Sequence, residues 1–424
     1  MTHYTIIGGS AGAVGGVEGI RKHDPAGEVT VVSDEASSPY SRPAIGESLD
    51  GRVDSESLHF GSQAFWEENS VQLLLGRKAV SIDLQKRVIR LDNGQDLSFD
   101  RLLLATGAKP FVPKMEGMGR EGFCTFMNLG DVDEIRQVMP KARRVVVIGG
   151  GLIGVEAAEA LANLGLAVTI VELRGWLLNL LLDREAAQII EAAARLRGIK
   201  LVTGQSVKTI LGREGNDHRI GGVILSSGAR VECDMVVSAV GVTPRTELAT
   251  QAGLDVNRGI LVDRHMQTSM PEIYACGDVA EAYDLIGGDR RTFATWPLAR
   301  LGGRIAGENM AGGHIEYPGG FAMSALRYFG VPAVSVGLDA PETSGDFEVM
   351  RTQAKGSYRK IVLRASRVVG FTLVRNIECA GLIHNLLRTQ VDVSSFKEKL
   401  LSPDLSFAHL PENVRRRTVM EAWA

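Results

Sequence analysis

Two glycine-rich turns contain the residues of this sequence best suited to bind a charged ligand. The second turn, Gly149 to Gly154, reads GGGLIG and follows the pattern GxGxxG between an apolar run and a helical pattern. In such a turn the first glycine permits the bend, the second lets the backbone approach a pyrophosphate, and the third lets the helix pack on the strand. The helix N-terminus then binds the anion. We therefore expect a dinucleotide to contact Gly149, Gly151, Ile153 and Gly154.

An acidic side chain ends the strand predicted after this turn. Glu172 follows Gly151 by about 20 residues, the spacing at which an acid meets the ribose of a dinucleotide. A carboxylate there accepts hydrogen bonds from the ribose hydroxyls and repels a 2′-phosphate, so Glu172 predicts a preference for NADH over NADPH. Arg174, two residues later, could instead attract that phosphate, so the preference stays open.

The first turn departs from the pattern. It runs from Gly8 through Gly12 to Ala13 and reads GGSAGA, so Ser10 and Ala13 stand at the second and third glycine positions. Small residues can still fit there, and we expect all four to lie at a second dinucleotide. Ser33 stands where the second copy has Glu172, and the acidic residues Asp34 and Glu35 that follow it are expected to contact this dinucleotide instead.

Each turn belongs to a βαβ unit, and the two units form an internal repeat. Apolar runs at Tyr4–Ile7 and Arg144–Ile148 lead into the two turns, and similar phrases, Asp100–Gly107 and Asp234–Gly241, close the two copies. A single GxGxxG is more often an ordinary glycine turn, but two in register within a duplication favour nucleotide binding. The repeat predicts an α/β chain with two doubly wound dinucleotide-binding domains.

The rest of the chain completes the first domain and then changes character. Short strands up to Glu281 and a helical pattern over Pro297–Met310 predict that the second copy is inserted in the first domain. Period-two alternation in Ser357–Arg364 and Arg367–Val374 predicts an antiparallel hairpin in a C-terminal α+β domain. The predicted domains are 1–108 with 243–314 for the first nucleotide domain, 109–242 for the second, and 315–424 for the C-terminal domain.

The composition excludes several classes of function. A net charge of -3 argues against a nucleic-acid binder, and no apolar stretch is long enough to predict a membrane span or a signal peptide. Neither the four widely spaced cysteines nor the histidines form a metal-binding pattern, and this cysteine usage suits a reducing cytoplasm. Glycine, with 49 of 424 residues, is unusually frequent, which predicts many tight turns or close backbone approaches.

The motifs together resemble the flavin-dependent pyridine nucleotide-disulfide oxidoreductase superfamily. The resemblance is carried by the two glycine turns, by the phrase Ala105-Thr106-Gly107, and by Ile273-Tyr-Ala-Cys-Gly-Asp278, and it covers nearly the whole chain. It implies that the first turn binds FAD and the second binds NAD(H). The further cofactor contacts that it implies are Ala105, Thr106, Gly107, Gly241 and Gly277.

The same resemblance implies roles for three single residues, each with a plainer alternative. Asp278 would bind the ribityl chain of FAD, or would only cap a helix. Glu156 would lie near the nicotinamide as a catalytic residue, or would be an exposed acid that offsets the helix dipole. Trp296 would lie at the flavin pyrimidine, where a helix N-terminus stabilises negative charge, or would be a core aromatic residue.

The segment after the first βαβ unit indicates the subclass. Residues 38–47 contain no cysteine, whereas disulfide reductases of this superfamily carry a CxxxxC pair there, so the sequence predicts an enzyme without redox-active cysteines. The phrase YxRPxxxE is similar to NADH:rubredoxin oxidoreductases. That similarity implies that Arg42 meets the FAD phosphate beside Pro43 and that Glu47 lies near the isoalloxazine as a catalytic residue. A surface loop with a proline turn is the alternative.

These expectations describe a flavoenzyme that oxidises NADH and passes electrons singly to a rubredoxin or ferredoxin. From Lys355 to Ala424 there are 12 basic residues against 6 acidic ones, which could steer an acidic partner, although a solvated surface or a subunit contact would look the same. An NADH oxidase that uses O₂ or a small acceptor, and a flavin-binding subunit of a larger redox assembly, remain alternatives. The sequence does not decide which acceptor is used. It is compatible with a monomer and with a homodimer.

Overall fold

The structure is a computed structural model that describes residues 1–59, 63–339, 346–354 and 356–416. Its strands are β1 His3–Ile7, β2 Glu28–Val32, β3 Val71–Leu74, β4 Ala79–Asp83, β5 Val88–Leu91, β6 Asp96–Ser98, β7 Arg101–Leu104, β8 Ala108–Pro110, β9 Phe123–Thr125, β10 Arg144–Ile148, β11 Ala167–Glu172, β12 Lys200–Thr203, β13 Val207–Arg213, β14 Asn216–Leu225, β15 Arg230–Val231, β16 Met235–Ser238, β17 Val242–Pro244, β18 Ile260–Leu261, β19 Ile273–Ala275, β20 Ala280–Tyr283, β21 Arg290–Thr292, β22 Met323–Tyr328, β23 Val331–Gly337, β24 Glu348–Ala354, β25 Ser357–Arg364 and β26 Arg367–Val374. Its α-helices are α1 Ala11–His23, α2 Ile45–Leu49, α3 Gln63–Glu68, α4 Leu129–Val138, α5 Leu152–Asn163, α6 Arg184–Leu196, α7 Glu247–Gln251, α8 Trp296–Met310 and α9 Ala380–Thr389.

The chain divides into two compact units. The first consists of residues 1–111, 127–132 and 242–321, and the second of residues 112–126, 133–241 and 322–424. The four-part division drawn from the sequence is finer than these units, and its boundaries stay a prediction. No helix in the described part of the chain is long and apolar enough to cross a membrane.

A parallel five-stranded sheet forms the centre of the first unit. Its order is β19-β7-β1-β2-β3, and β19 pairs with β7 although the whole second copy separates them in sequence. The central strands are apolar on both faces, as parallel sheets covered by helices require, and Ile6, Val31 and Leu103 are fully buried. The predicted insertion of the second copy within the first domain is thereby confirmed.

Helices α1 and α8 of the first unit pack with their backbones in contact. A Cβ added to Gly15 would lie 2.1 Å from the carbonyl oxygen of Arg300, and one added to Gly303 would lie 2.1 Å from that of Gly12. Gly19 and Gly307 approach the opposite helix equally closely. This contact accounts for part of the glycine excess, because a side chain at these positions would separate the helices.

The second unit repeats the parallel arrangement and adds an antiparallel sheet. The parallel sheet has the order β12-β11-β10-β16-β9, and the antiparallel sheet has the order β22-β23-β26-β25-β24. Strands β25 and β26 form the hairpin predicted from the period-two alternation, and α9 follows them. The fold class is confirmed: two doubly wound nucleotide-binding arrangements and a C-terminal α+β region.

Candidate dinucleotide-binding sites

The first glycine turn has the predicted bend despite its two substitutions. Gly8 has a φ of +121°, its amide donates to the carbonyl of Val32 at 2.8 Å, and an added Cβ would lie 2.0 Å from the carbonyl oxygen of Ala105. Ser10 precedes α1 and its hydroxyl makes no capping bond, while Ala13 is fully buried. Of the three glycine positions of the GxGxxG pattern, only the first is therefore occupied by glycine here.

Gly12 meets another part of the protein instead of open space. A Cβ at this position would lie 2.8 Å from the sulfur of Cys276 and 3.3 Å from the Cβ of Ala105. The residue thus allows α1 to approach the strand ends closely. Its predicted contact with a cofactor stays a prediction.

A cavity of about 460 Å³ opens beside the first turn. Gly8, Asp34 and Thr106 line it, and its size lies in the ordinary range for small-molecule sites. That these residues contact FAD stays a prediction. The hydroxyl of Thr106 donates to the carbonyl of Arg245 at 3.0 Å, and Gly107 has a φ of +65°. The phrase that closes the first copy therefore shapes this cavity together with the turn.

The cavity also contains cations that the sequence analysis missed. Arg245 pairs with Asp34 at 2.6 Å and Lys109 pairs with Glu247, and all four lie at the cavity. The Nε atom of Arg245 is buried and finds no hydrogen-bond partner among the described residues, so it can donate to a ligand. No local motif marks Arg245 or Lys109. Lys109 lies in β8 and Arg245 directly follows β17, and these two strands, distant in sequence, pair with each other.

Glu35, Arg42 and Asp278 belong to one charged group in the first unit. Glu35 accepts a hydrogen bond from the hydroxyl of Tyr40 at 2.5 Å and forms an ion pair with Arg42. Burial raises the pKa of Asp278, and the positive charge of Arg42 offsets part of that effect. Arg42 and Pro43 begin a short 3-10 helix that presents this guanidinium. The three residues predicted for FAD thus interact, although they come from distant segments.

The N-terminus of α8 is a second anion-favouring feature of this unit. Trp296 begins the helix, with the guanidinium of Arg300 5.8 Å from the centre of its ring. The hydroxyl of Thr295, just before the helix, is buried and has no hydrogen-bond partner among the described residues. Gly277 bends the chain near Ala299 of the same helix with a φ of +73°. A helix N-terminus carries a partial positive charge, so this end suits an anionic or electron-rich group.

Glu47 lies on the exposed side of α2. Its carboxylate is 3.9 Å from Arg52, and the two side chains are each 48% exposed. The structure therefore gives Glu47 an ordinary surface ion pair. A role beside the flavin stays a prediction.

The second glycine turn divides its functions among its three glycines. Gly149 has a φ of +105°, and a Cβ on Gly154 would lie 2.0 Å from the carbonyl oxygen of Gly149. Gly151 has no described atom within 4 Å of such a Cβ, and neither has Gly241. The bend therefore lies at the first glycine of the pattern, the open approach at the second and the close helix packing at the third, as the pattern assigns them. Ile153 lies in the first turn of the helix that follows.

Glu172 is held at this turn by two backbone amides. It is only 8% exposed, and its two oxygens accept hydrogen bonds from Gly150 at 2.6 Å and Arg174 at 2.7 Å. The Arg174 side chain itself is exposed. Ser33 stands at the corresponding place in the first unit, and its hydroxyl accepts a hydrogen bond from the amide of Glu35 at 3.2 Å. The Glu172 carboxylate is therefore fixed beside the second glycine turn, and its contact with a ribose stays a prediction.

Glu156 lies half-buried on α5, one helical turn beyond Leu152. It shares this face of the helix with Glu159, and Tyr328 of the C-terminal region lies near both carboxylates. Neither of the two sequence alternatives for Glu156 included this neighbour.

All four cysteines are buried, and they lie in four separate segments. Burial raises the pKa of the Cys276 thiol to about 12 and that of Cys233 to about 12, so both are protonated near neutral pH. Cys124 is part of β9, which forms an edge strand of the second parallel sheet. A thiolate is the reactive form of cysteine, so two of the four thiols are poorly suited to electron relay.

Comparison with known proteins gives one family match and several relatives. A family model described as pyridine nucleotide-disulphide oxidoreductase matches residues 2–303. The chain is 30% identical to nitrite reductase [NAD(P)H] of Bacillus subtilis over 89% of this chain, but it spans only 46% of that protein. It is 28% identical to the epsilon subunit of NADH-dependent phenylglyoxylate dehydrogenase of Aromatoleum evansii over 100% of this chain and 98% of that subunit.

Two further comparisons concern reductases of small redox proteins. The chain is 30% identical to rubredoxin-NAD(+) reductase of Pseudomonas putida over 67% of this chain and 73% of that protein. The solved ferredoxin reductase of the CYP199A2 system from Rhodopseudomonas palustris is 26% identical, with a TM-score of 0.86 over 95% of this chain and 98% of that one.

Proposed function

Since this chain belongs to the pyridine nucleotide-disulphide oxidoreductase family, we propose that it oxidises NADH and delivers the electrons through FAD to a small redox protein. The family match and the similarity to rubredoxin-NAD(+) reductase support oxidation of NADH and the use of FAD and NAD(H). The choice of a one-electron acceptor protein is the finer part of the proposal. FAD, when bound, supplies the chemistry that links a two-electron donor to one-electron acceptors.

The residues of the first unit fit FAD. Arg42 would bind the phosphates with its planar guanidinium, and Asp278 would accept hydrogen bonds from hydroxyls of the cofactor. Two buried donors without partners among the described residues, Thr295 Oγ1 and Arg245 Nε, would be satisfied by it. Each would otherwise carry the cost of a buried polar group without a hydrogen bond. The protein's task at this site is therefore to bind and orient.

The observation that carries the proposed acceptor is the state of the cysteines. All four are buried and lie in four separate segments of the chain, and residues 38–47 contain none. A disulfide substrate would need a thiolate next to the flavin, and burial keeps Cys276 and Cys233 protonated. We therefore infer that electrons leave the flavin without a thiol relay.

Similarity to reductases of rubredoxin and ferredoxin supports a small electron-transfer protein as the acceptor. The basic excess near the C-terminus gives weaker support than the sequence suggests. Arg359 and Lys360 are each only 5% exposed, so they contribute nothing to a docking surface. Lys355 and Arg417 lie outside the described residues. Arg415 and Arg416 are the described members of the basic run near the C-terminus.

A second candidate is the NADH-oxidising subunit of a larger assembly. One observation favours it: the chain matches 98% of the length of a subunit named for NADH-dependent phenylglyoxylate dehydrogenase. In that case the acceptor would be a centre on a partner subunit instead of a diffusing protein. The chemistry at FAD and NADH would be the same.

The test starts from the purified protein with its flavin identified after denaturation. We expect FAD, bleaching of its absorbance by NADH without oxygen, and full reduction by two electrons per flavin. Turnover is then compared with rubredoxin, ferredoxin, O₂ and a small quinone as acceptors. Rates with a protein acceptor at least tenfold above those with O₂ support the proposal. FMN, a four-electron titration or faster turnover with O₂ would contradict it.

A further inference from the structure

The turn between β22 and β23 contacts the helix that follows the second glycine turn. The hydroxyl of Tyr328 donates to the carbonyl of Leu152 at 3.1 Å, and the amide of Phe329 donates to Oε1 of Glu159 at 2.6 Å. Leu152 is the first residue of α5. Residues 152, 156 and 159 lie on one face of a helix, so Glu156 is located between the two bonds. We name residues 328–330 the α5-facing turn.

The backbone of the α5-facing turn has a conformation that its sequence does not favour. Phe329 has a φ of +52° and Gly330 a φ of +80°, and Tyr328 pairs with Val331 across the two-residue turn. Turns of this kind prefer Asn-Gly, because a bulky side chain is rarely left-handed. Phe329 is 6% exposed. Its burial and its bond to Glu159 therefore hold a turn that local preference would not form.

The phenol of Tyr328 is placed to remain a donor. Burial raises its pKa, and the carboxylates of Glu156 and Glu159 raise it further, because a phenolate beside two negative charges is unfavourable. The hydroxyl therefore keeps its proton and donates to the Leu152 carbonyl. The first helical residue after the glycine turn is tied in this way to the C-terminal sheet of the same unit.

We propose that Tyr328 is a positioning residue for NADH. By fixing the first turn of α5, it sets the direction of the backbone amides that would meet the pyrophosphate and the place of the Glu156 carboxylate. Anion binding at a helix N-terminus depends on the aim of those amides. A loosened first turn would therefore weaken nucleotide binding. This inference rests on the proposed role of the second glycine turn as the NADH site.

Tyr358 provides a matched control. It is also a tyrosine of the C-terminal sheet, and its hydroxyl donates to Asp183. Asp183 caps the N-terminus of α6, so this bond lies at a different helix from the glycine turn. Tyr328→Phe and Tyr358→Phe each remove one hydroxyl, and both keep the ring that fills the space.

The experiment measures the Kd of NAD⁺ by calorimetry and hydrogen exchange of the amides at the start of α5, using wild type and both variants. In Tyr328→Phe we expect the Kd to rise roughly 3- to 10-fold, the effect of one lost hydrogen bond, and exchange at residues 153–156 to become faster. Rapid-mixing kinetics should show a higher apparent Kd for NADH with an unchanged limiting rate of flavin reduction. Tyr358→Phe should lower the melting temperature and leave the Kd unchanged.

Two results would overturn the inference alone: an unchanged Kd in Tyr328→Phe, or an equal rise in both variants, which would indicate a general loss of stability. Failure of the wild type to bind NAD⁺ or to be reduced by NADH would overturn the proposed function and this inference with it. The wild-type measurement thus separates the two failures.

Discussion

Glu172 at the end of β11 and Ser33 directly after β2 occupy corresponding positions in the two βαβ units, and they give the two sites different charge. Glu172 places a carboxylate on two amides of its own turn, whereas Ser33 accepts only from the amide of Glu35. Its neighbours Asp34 and Glu35 are neutralised by Arg245 and Arg42. At this position the second unit therefore has one fixed negative charge, whereas the first unit has charges that are already paired.

The fixed charge of Glu172 leads to a prediction about nucleotide preference. Glu172→Gln keeps an oxygen for one of the two amides and removes the charge that would repel a 2′-phosphate. We expect the preference for NADH over NADPH in flavin reduction to narrow by about tenfold, which corresponds to ~1.4 kcal/mol. The measurement is the rate of flavin bleaching against the concentration of each nucleotide. Arg174→Gln serves as the control and should widen the preference or leave it unchanged. A wild type that is reduced faster by NADPH would contradict the role of Glu172.

Cys233 leads to a prediction about stability at high pH. Its pKa in the folded protein is about 12 against an ordinary 9.0, so the folded state keeps a proton that the unfolded state loses. The contribution to stability is complete below pH 9 and is lost as the pH rises from about 9 towards 12. We expect Cys233→Ala to show a smaller fall in urea midpoint between pH 8 and pH 10.5 than the wild type. Parallel curves for the two proteins would show that this thiol ionises equally in both states.

At the scale of elements, the contact of α1 with α8 leads to a prediction about packing. Gly15→Ala places a Cβ 2.1 Å from a backbone carbonyl, so the helices must separate. Overpacking of this kind costs about 1–3 kcal/mol, and we expect weaker retention of FAD as well. Gly381→Ala is the control, because this exposed glycine in α9 has open space around it and should gain up to ~1 kcal/mol of helix stability. Chemical unfolding and flavin content measure both effects. Equal stabilities of the two variants would exclude a tight contact.

The elements also show which parts of the fold the sequence could predict. The bounds of α8 and the hairpin of β25 and β26 follow from local periodicity, so they agree with the structure to within a residue or two. Arg245 could not be predicted as a cavity residue, because its position depends on the pairing of β17 with β8, two strands that are distant in sequence. The α5-facing turn was equally hidden, since Phe329 occupies a backbone conformation that its residue type argues against.

At the scale of the whole molecule, the placement of charge decides how an acceptor could approach. With Arg359 and Lys360 buried, the positive surface that the sequence predicts for the C-terminal region shrinks. Arg416 is further paired with Glu412 at 2.6 Å. Steering by this region would therefore depend on the cations that stay at least partly exposed, such as Arg364, Arg375 and Arg388.

Salt dependence tests this steering. We expect turnover with a protein acceptor to fall several-fold between low salt and about 0.2 M, where the screening length is below roughly 10 Å, while flavin reduction by NADH changes less. Arg415→Gln with Arg416→Gln should reduce the low-salt rate about two- to fivefold. Arg90→Gln, which removes an exposed cation from the hairpin of β5 and β6, is the control. Unchanged turnover in the double variant would place docking elsewhere.

The pairing of β19 with β7 has a consequence for synthesis of the protein. When β7 leaves the ribosome, its neighbour β19 and the helix that packs on α1 have not yet been made. At roughly 5–20 residues per second, that interval lasts on the order of ten seconds or more, and it exposes apolar strand edges and the glycine-lined side of α1. The segment between them carries its own complete parallel sheet and can fold during that wait. The segment of the first unit that is translated last thus completes the sheet that the N-terminal segment began. A chain interrupted before β19 leaves an unfinished sheet for chaperones and proteases.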